Sequence, residues 1–308
     1  MGILGSVGRT PLVALERVGR GLPVAVLAKC EHLNPGGSIK DRIAVAIVDD
    51  AEGRGVLRPG MTLIEATAGN TGIGLALVAA ARGYGLVCVM PAKMSADKRQ
   101  ALASLGAQVI VTANAPPDSP ENFQNVARAL ARERGWFLAD QFNNPANVRV
   151  HEETTAAELL EQVDGPIGAF VAGAGTGGTI SGVGRRLKQE YPDVRIVLAD
   201  PVGSGLAGWV ETGTLGADGA YRVEGIGASK VPQNLHRECI DSAERVSDEE
   251  SFAMARRLIR EEGLLVGGSA GTNVAAALRV AARGGLAGPV VTVLPDSWDR
   301  YRTCEWLQ

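Results

Sequence analysis

The chain has 308 residues, 45% hydrophobic and 21% charged, enough for two domains or one large α/β unit, and its composition is neither disordered nor fibrous. Lys plus Arg number 31 against 34 for Asp plus Glu, a net charge of -3, so the basic excess of a nucleic-acid binder is missing. Aromatic residues make up only 4%, which argues against base-stacking or carbohydrate-binding platforms.

Four scattered cysteines, Cys30, Cys88, Cys239 and Cys304, contain no C-x-x-C, and His32, His151 and His236 lack metal-ligand spacing. Neither a disulfide framework nor a metal site is expected, and a reducing cytoplasm is. No apolar run is long enough for a membrane span, and the first residues lack a basic region followed by an apolar core. Met1 to Ser6 matches the myristoylation pattern M-G-x-x-x-S, but no basic patch follows it. Glycine is the unusual count: 40 of 308 residues, where about 7% is ordinary, so many sharp turns or close backbone approaches are expected.

In chain order, Asn34-Pro35-Gly36-Gly37-Ser38-Ile39-Lys40-Asp41-Arg42 places a lysine at the start of a predicted helix, directly after a turn that Pro and Gly force. The partial positive charge of a helix amino terminus favours a neutral amine, the form that condenses with an aldehyde. The same residues also read as a plain capping turn with Ser38 as cap.

A strand-turn-helix-strand unit follows: strand Met61 to Glu65, turn Ala66 to Thr71, helix Gly72 to Arg82 and strand Leu86 to Met90. Its turn, Ala66-Thr67-Ala68-Gly69-Asn70-Thr71-Gly72, offers two hydroxyls, an amide and free N–H groups to a carboxylate, or is a capping turn around Thr71. Ala115 to Pro120 reads as a surface loop, and a domain crossover is predicted around Phe142 to Val150.

The second unit comprises strand Ile167 to Ala172, turn Gly173 to Gly178, helix Thr179 to Glu190 and strand Arg195 to Ala199. Its turn matches G-x-G-x-x-G, with Asp200 about 20 residues further on, so a nicotinamide-dependent oxidoreductase and a phosphate-monoester cup both fit. Thr176 and Thr179 favour the cup, because hydroxyls suit a terminal phosphate better than a pyrophosphate. The third unit is strand Leu264 to Val266, turn Gly267 to Gly271, helix Thr272 to Ala282 and strand Val290 to Leu294. Its Gly-Gly-Ser-Ala-Gly lacks the G-x-S-x-G of a serine hydrolase. Repeated units of this kind predict an α/β fold whose parallel sheets are covered by helices.

Together these turns resemble the fold-type II pyridoxal 5′-phosphate enzymes, in the cysteine synthase and cystathionine β-synthase branch. The resemblance begins at Gly8-Arg9-Thr10-Pro11-Leu12 and runs through Asn34 to Arg42, Thr67 to Gly72, Asp140-Gln141-Phe142 and Gly175 to Thr179. It continues through Glu224-Gly225-Ile226-Gly227 and Gly267 to Gly271 to Leu294-Pro295-Asp296-Ser297.

It implies two open, mostly parallel twisted sheets of the tryptophan synthase β type. A smaller domain would span 35–145, and a larger one 9–34 with 146–308. Lys40 would hold pyridoxal 5′-phosphate as a Schiff base and abstract the α-proton. Asn70 would bond the cofactor's 3′-hydroxyl, Gly175, Thr176, Gly177, Gly178 and Thr179 would cradle its phosphate, and Ser269 would face the pyridine nitrogen. Thr67, Ala68, Gly69, Asn70, Thr71, Gln141 and Gly227 would line the substrate.

A neutral serine opposite that nitrogen weakens the electron sink, which favours loss of the β-substituent over transamination. The implied reaction is therefore β-replacement on an activated L-serine through an aminoacrylate. Cysteine synthase, joining O-acetylserine and sulfide, comes first; cystathionine β-synthase, joining serine and homocysteine, is the alternative. N-P-G-G-S-x-K-D-R separates the chain from threonine synthases and serine dehydratases.

Intact Lys40 and Ser269 argue against a catalytically silent binding protein. Ala68 stands where most relatives carry serine, and Lys230 where they often place an aromatic. Neither the haem segment nor the regulatory pair of animal cystathionine β-synthases is expected. A cytoplasmic homodimer without nucleic-acid or membrane partners is.

Overall fold

Apolar runs alternating with glycine-rich turns form ten strands in the computed structural model, which describes residues 2–67, 69–94, 96–116 and 118–308. The strands are β1 (Leu12–Ala14), β2 (Val26–Lys29), β3 (Thr62–Ala66), β4 (Gly85–Pro91), β5 (Gln108–Thr112), β6 (Phe137–Leu138), β7 (Ala169–Ala172), β8 (Arg195–Pro201), β9 (Ser242–Val246) and β10 (Val290–Val293). The α-helices are α1 (Lys40–Gly53), α2 (Asn70–Arg82), α3 (Ala96–Ser104), α4 (Phe123–Arg134), α5 (Ala146–Val150), α6 (Ala156–Gln162), α7 (Gly178–Glu190), α8 (Leu206–Thr212), α9 (Asp248–Arg257) and α10 (Gly268–Arg283). The chain divides into two compact units, one made of the residues up to Val7 with Asn34–Asn147, the other of Gly8–Leu33 with Val148–Gln308.

The first unit holds a four-stranded sheet in the order β5-β4-β3-β6, parallel throughout. Buried strands such as Leu86 to Pro91 are apolar at every position because helices cover both faces. On one face Ile64, Ala66, Val87 and Val89 pack against Ala127 and Ala131 of α4. That helix is capped by the side chain of Asn122 and ends at Gly135, whose φ is 65°. On the other face lies α2, with α1 packed against it. A Cβ at Gly74 would lie 2.9 Å from the Lys40 carbonyl oxygen, so the small residue lets α2 approach the first turn of α1.

The second unit holds a six-stranded sheet in the order β1-β2-β10-β7-β8-β9. Only the β1–β2 pair is antiparallel among the described strands. Val26, Ala28, Ala169, Val171, Val197 and Val290 pack with Val274, Ala277 and Ala281 of α10 on one face. Gly184 of α7 meets Ile196 on the other.

The predicted fold class is therefore the observed one, with one departure. Leu264 to Val266 is not a strand: a π-helix occupies Leu258–Glu262, and Val266 makes a single antiparallel bridge to Ser297. Three apolar residues gave the right polarity, but the helix and bridge leave no length for a ladder. The third helix also begins at Gly268 rather than Thr272, which brings the serine of its turn into the helix.

Lys29, at the end of β2, is fully buried. Its ammonium meets Glu158 Oε2 at 2.6 Å and donates to the Thr10 carbonyl and Gln162 Oε1, both at 2.7 Å, tying β2 to α6 and to the chain before β1. Removing one member of a buried ion pair leaves the other charge uncompensated. Lys29→Ala is expected to cost about 3–5 kcal/mol, read as a lower urea midpoint of the second unit's unfolding, while Lys188→Ala at an outer ion pair should cost no more than about 1 kcal/mol.

Candidate functional site

In the first unit, Lys40 is the first residue of α1 and half-buried. Its backbone N–H donates to the buried Ser38 hydroxyl at 3.2 Å, and the buried Asp41 carboxylate accepts the Gly36 N–H at 2.5 Å. The Pro-Gly turn is thus braced by the residues on either side of the lysine.

Asn70 is the first residue of α2, after Gly69, which supplies no side-chain cap. The Gly69 N–H donates to Thr67 Oγ1 at 3.3 Å, and Thr67 and Thr71 are buried. The Thr71 hydroxyl donates to Gln141 Oε1 at 2.5 Å, which brings Gln141 to the same turn from 70 residues further on. Thr67, Gly69, Asn70, Thr71 and Gln141 therefore share one turn, and the Gly74 approach sets it beside the start of α1. Ala68 lies outside the described residues.

In the second unit, Gly173 to Thr179 leave β7 and enter α7. The Gly173 N–H donates to Asn273 Oδ1 at 2.7 Å, and the Gly227 N–H to the Ala174 carbonyl at 2.9 Å. Gly177 has φ +88°, and a Cβ there would lie 2.6 Å from Leu235, so only glycine turns the chain into the helix. The first bond of α7 runs from the Ser181 N–H to the Gly177 carbonyl, leaving the N–H groups before Ser181 outside the helical ladder. Thr179 Oγ1 lies 3.2 Å from His151 Nε2, and His151 Nδ1 lies 2.9 Å from Thr155 Oγ1 within a π-helix at His151–Thr155.

Ser269 is the second residue of α10 and buried. The Gly267 N–H ahead of it donates to the Asp296 carbonyl at 3.1 Å, and the Tyr301 hydroxyl donates to Asp296 Oδ2 at 2.7 Å. Asn273, one turn later, also donates to the Val293 carbonyl and so fixes α10 to both β10 and the Gly173 turn. Gly175, Thr176, Gly177, Gly178, Thr179, Gly227 and Ser269 all belong to this unit.

Asp200 settles the dehydrogenase alternative against it. Its carboxylate is fully buried at the end of β8 and accepts the Ala207 N–H at 2.7 Å as a brace for α8, so it is not presented to a ribose. Burial pushes its pKa up. Lys230 is exposed. Among the described residues no cluster of His, Cys, Asp and Glu could hold a metal ion, and no helix is long and apolar enough to cross a membrane.

Three supporting residues escaped the sequence reading: Glu65, His151 and Asn273. Each had a signal. Glu65 is an acid inside the apolar strand Leu63-Ile64-Glu65-Ala66, where a charge is rare unless paired. His151 precedes Thr155 by one helical turn, and Asn273 directly precedes the apolar run Val274 to Leu278.

Pyridoxal-phosphate dependent enzymes, as a family, match residues 3–296. The chain belongs to that family. It is 47% identical over 303 residues to cystathionine beta-synthase of Oryctolagus cuniculus, covering 97% of this chain and 55% of that protein. It is 43% identical over 296 residues to cysteine synthase of Staphylococcus aureus, covering 96% of this chain and 93% of that one. The crystal structure of an O-acetylserine dependent cystathionine beta-synthase from Helicobacter pylori matches it with a TM-score of 0.91 at 36% identity, over 100% of this chain and 99% of the other. The chain spans about half the length of the mammalian cystathionine beta-synthase it matches.

The residues present fit this family's cofactor. The α7 turn combines N–H groups outside the helical ladder with the Thr179 hydroxyl at the positive end of a helix, a donor set for a phosphate monoester. Ser269 supplies a neutral, buried hydroxyl, and Lys40 an amine at a helix start.

Glu65 is the most perturbed carboxyl near the Thr71 turn. Burial first, then the charge of Asp140, pushes its pKa up from 4.5 to about 8, and the Gln141 amide with the backbone N–H groups of Asp140 and Gln141 only partly offsets this. A carboxyl whose folded-state pKa is raised contributes stability that is full below about pH 4.5 and is lost as pH rises to about 8. Glu65→Gln cannot ionise. The thermal midpoint of the parent protein should therefore fall relative to that variant between about pH 5 and about pH 9, and parallel curves would show that Glu65 does not ionise in the folded state.

Proposed function

We propose that this pyridoxal-phosphate dependent enzyme carries out β-replacement on an activated L-serine. The reading is supported most by one observation: Lys40 at the head of α1 and the Thr67–Thr71 turn at the head of α2 are joined by the Gly74 approach. When bound, pyridoxal phosphate supplies an electron-withdrawing ring that takes up the pair left when an amino acid's α-proton is removed.

In this reading Lys40 Nζ holds the cofactor covalently and later takes and returns the α-proton. Asn70 bonds the ring hydroxyl. The N–H groups from Gly175 to Thr179, with the Thr176 and Thr179 hydroxyls, hold the phosphate.

Ser269 would offer the ring nitrogen a hydroxyl instead of a carboxylate, which would keep the electron sink weak and favour departure of the β-substituent. Thr67, Ala68, Gly69, Asn70, Thr71, Gln141 and Gly227 form the substrate side, with Thr67, Thr71 and Gln141 directed at the α-carboxylate. The β-substituent leaves with its bonding pair and a sulfur nucleophile takes its place.

For the substrate pair we infer O-acetylserine and sulfide, giving cysteine and acetate. Supporting this, the Helicobacter structural match is an O-acetylserine dependent enzyme and the Staphylococcus relative is a cysteine synthase. Serine with homocysteine is the second reading, favoured by the 47% identity to a cystathionine beta-synthase. A cytoplasmic setting agrees with the free thiols of Cys30, Cys88 and Cys239, and a homodimer rests on family resemblance alone.

Lys40→Ala should purify without the visible absorbance of lysine-bound cofactor and show negligible turnover; a variant keeping both would remove Lys40 from its role. The substrate pair is decided by competition. With O-acetylserine as donor, sulfide should give a higher kcat/KM than homocysteine, and a higher value for serine with homocysteine would install the second reading.

A further inference from the structure

Glu65, Gln141 and Thr71 form a buried relay within the first unit. Gln141 Nε2 donates to Glu65 Oε1 at 3.2 Å, and the Thr71 hydroxyl donates to Gln141 Oε1 at 2.5 Å. All three side chains are at most 6% exposed, so bulk water does not stand in for a missing partner. We propose that Glu65 is a positioning residue which, through the Gln141 amide, decides whether the Thr71 hydroxyl is free to donate to the substrate carboxylate. The proposal rests on the carboxylate-binding roles of Thr71 and Gln141 given above.

An ionised carboxylate only accepts, so beside an ionised Glu65 the amide must turn its NH₂ toward the acid and its carbonyl toward Thr71. The hydroxyl of Thr71 has one proton, and in this arrangement the Gln141 carbonyl takes it. Substrate then meets an oxygen with no proton to give.

A neutral Glu65 has a proton of its own. The amide can turn over, accept that proton at Oε1 and donate from Nε2 to Thr71 Oγ1, which releases the Thr71 proton for an α-carboxylate. Amide oxygen and nitrogen have nearly the same size, so both arrangements use the same heavy-atom positions. Glu65 Oε2 is buried without a hydrogen-bond partner, as suits an acid that can carry a proton.

The groups around Glu65 set where the change falls. Asp140, from the loop after β6, repels the ionised form, and the Cys88 thiol of β4, itself pushed up to about 12, adds no counter-charge at neutral pH. α4 offers Ala127 and Ala131 to the opposite face of β3, and Thr71 of α2 reaches Glu65 through Gln141. The midpoint is therefore near pH 8, with tight carboxylate binding below it and weak binding above.

The test uses the cofactor-loaded enzyme and L-alanine, which has the α-amino and α-carboxylate groups but no β-substituent to lose. Its affinity is read from the shift of the cofactor absorbance between about pH 7 and about pH 9.5. Parent protein should lose about tenfold more affinity over this range than Glu65→Gln, whose amide keeps a proton to donate at every pH, because one hydrogen bond to a charged group is at stake. Titration of the α-amino group of L-alanine affects both proteins alike and cancels in the comparison.

A second readout needs neither ligand nor variant fold: in the parent protein the ¹⁵N-labelled Gln141 side-chain resonances should titrate with the Glu65 ¹³C-carboxyl resonance. Flat Gln141 resonances, or equal loss of affinity in both proteins, overturn the proposal. Thr71→Ala separates the two levels. If it weakens L-alanine binding while the pH profiles match, the proposal alone falls; if it leaves affinity unchanged, the carboxylate reading falls and the proposal with it.

Discussion

Among the described helices, α1, α2, α7 and α10 are preceded by residues that supply no capping side chain, and the candidate chemistry collects where they begin. The residues before α1, α2, α7 and α10 are Ile39, Gly69, Gly177 and Gly267, and none supplies a capping side chain. Three scaffold helices have side-chain acceptors at their starts, although α6 does not. Asn122 caps α4, Ser247 and Glu250 form a capping box on α9, and Ser204 with Asp200 accept the first N–H groups of α8. A cap is worth about 1 kcal/mol; Ser38 accepts the Lys40 N–H at α1, and at α2, α7 and α10 a ligand could take the place of the missing capping side chain. The glycine-rich composition follows from the same constraint, since a turn that keeps its donors open cannot bring a large side chain with it.

Such helix ends stay in place because the neighbouring chain holds them from behind. Ser38 takes the Lys40 N–H, Asn273 couples the Gly173 turn to α10 and β10, and Asp296 anchors the residue before α10. His151 does the same for Thr179. If the proposed phosphate is held there, Thr179 would donate to it, and His151 would then offer its Nε2–H to Thr179 Oγ1 while the Thr155 hydroxyl donates to Nδ1. The π-helix at His151–Thr155 brings both ring nitrogens to hydroxyls at once, consistent with the common use of such distortions near functional sites.

Much of this was legible in the chain, for reasons that differ by residue. Parallel strands covered on both faces read as apolar runs, so β4, β8 and β10 were found within two residues of their ends. Local turns announce themselves too: Gly173 to Gly178 and Asn34 to Lys40 carry their geometry in consecutive residues. The start of α10 was missed by four residues because Gly and Ser weaken any helix signal, although burial holds Gly268 to Gly271 in the helix.

What sequence pattern alone could not reach is pairing across long separations. Glu65 and Gln141 are 76 residues apart, and Gly173 and Asn273 are 100 apart. No period links such pairs; only the layered sheet brings them together.

The same layering explains why the chain tolerates an acid at position 65 and an unusual backbone at position 140. Asp140 has φ 49°, a left-handed conformation that Asp adopts more readily than most residues other than glycine. Its carbonyl accepts the N–H groups of Asn143 and Asn144, and its carboxylate accepts the Asn143 side-chain amide at 2.8 Å. That reversal ends β6 within two residues of Leu138 and sends Gln141 back toward β3 instead of onward along the sheet. Asn147 then donates to the Gln141 carbonyl at 2.8 Å and closes the turn. An alanine at 65 would leave a hole and an unpaired amide, and a neutral amide there would lack the ability to change its proton count. Glutamate alone combines the reach to Gln141 with two protonation states, and the cost of burying it is lowered because the neutral form is available near physiological pH.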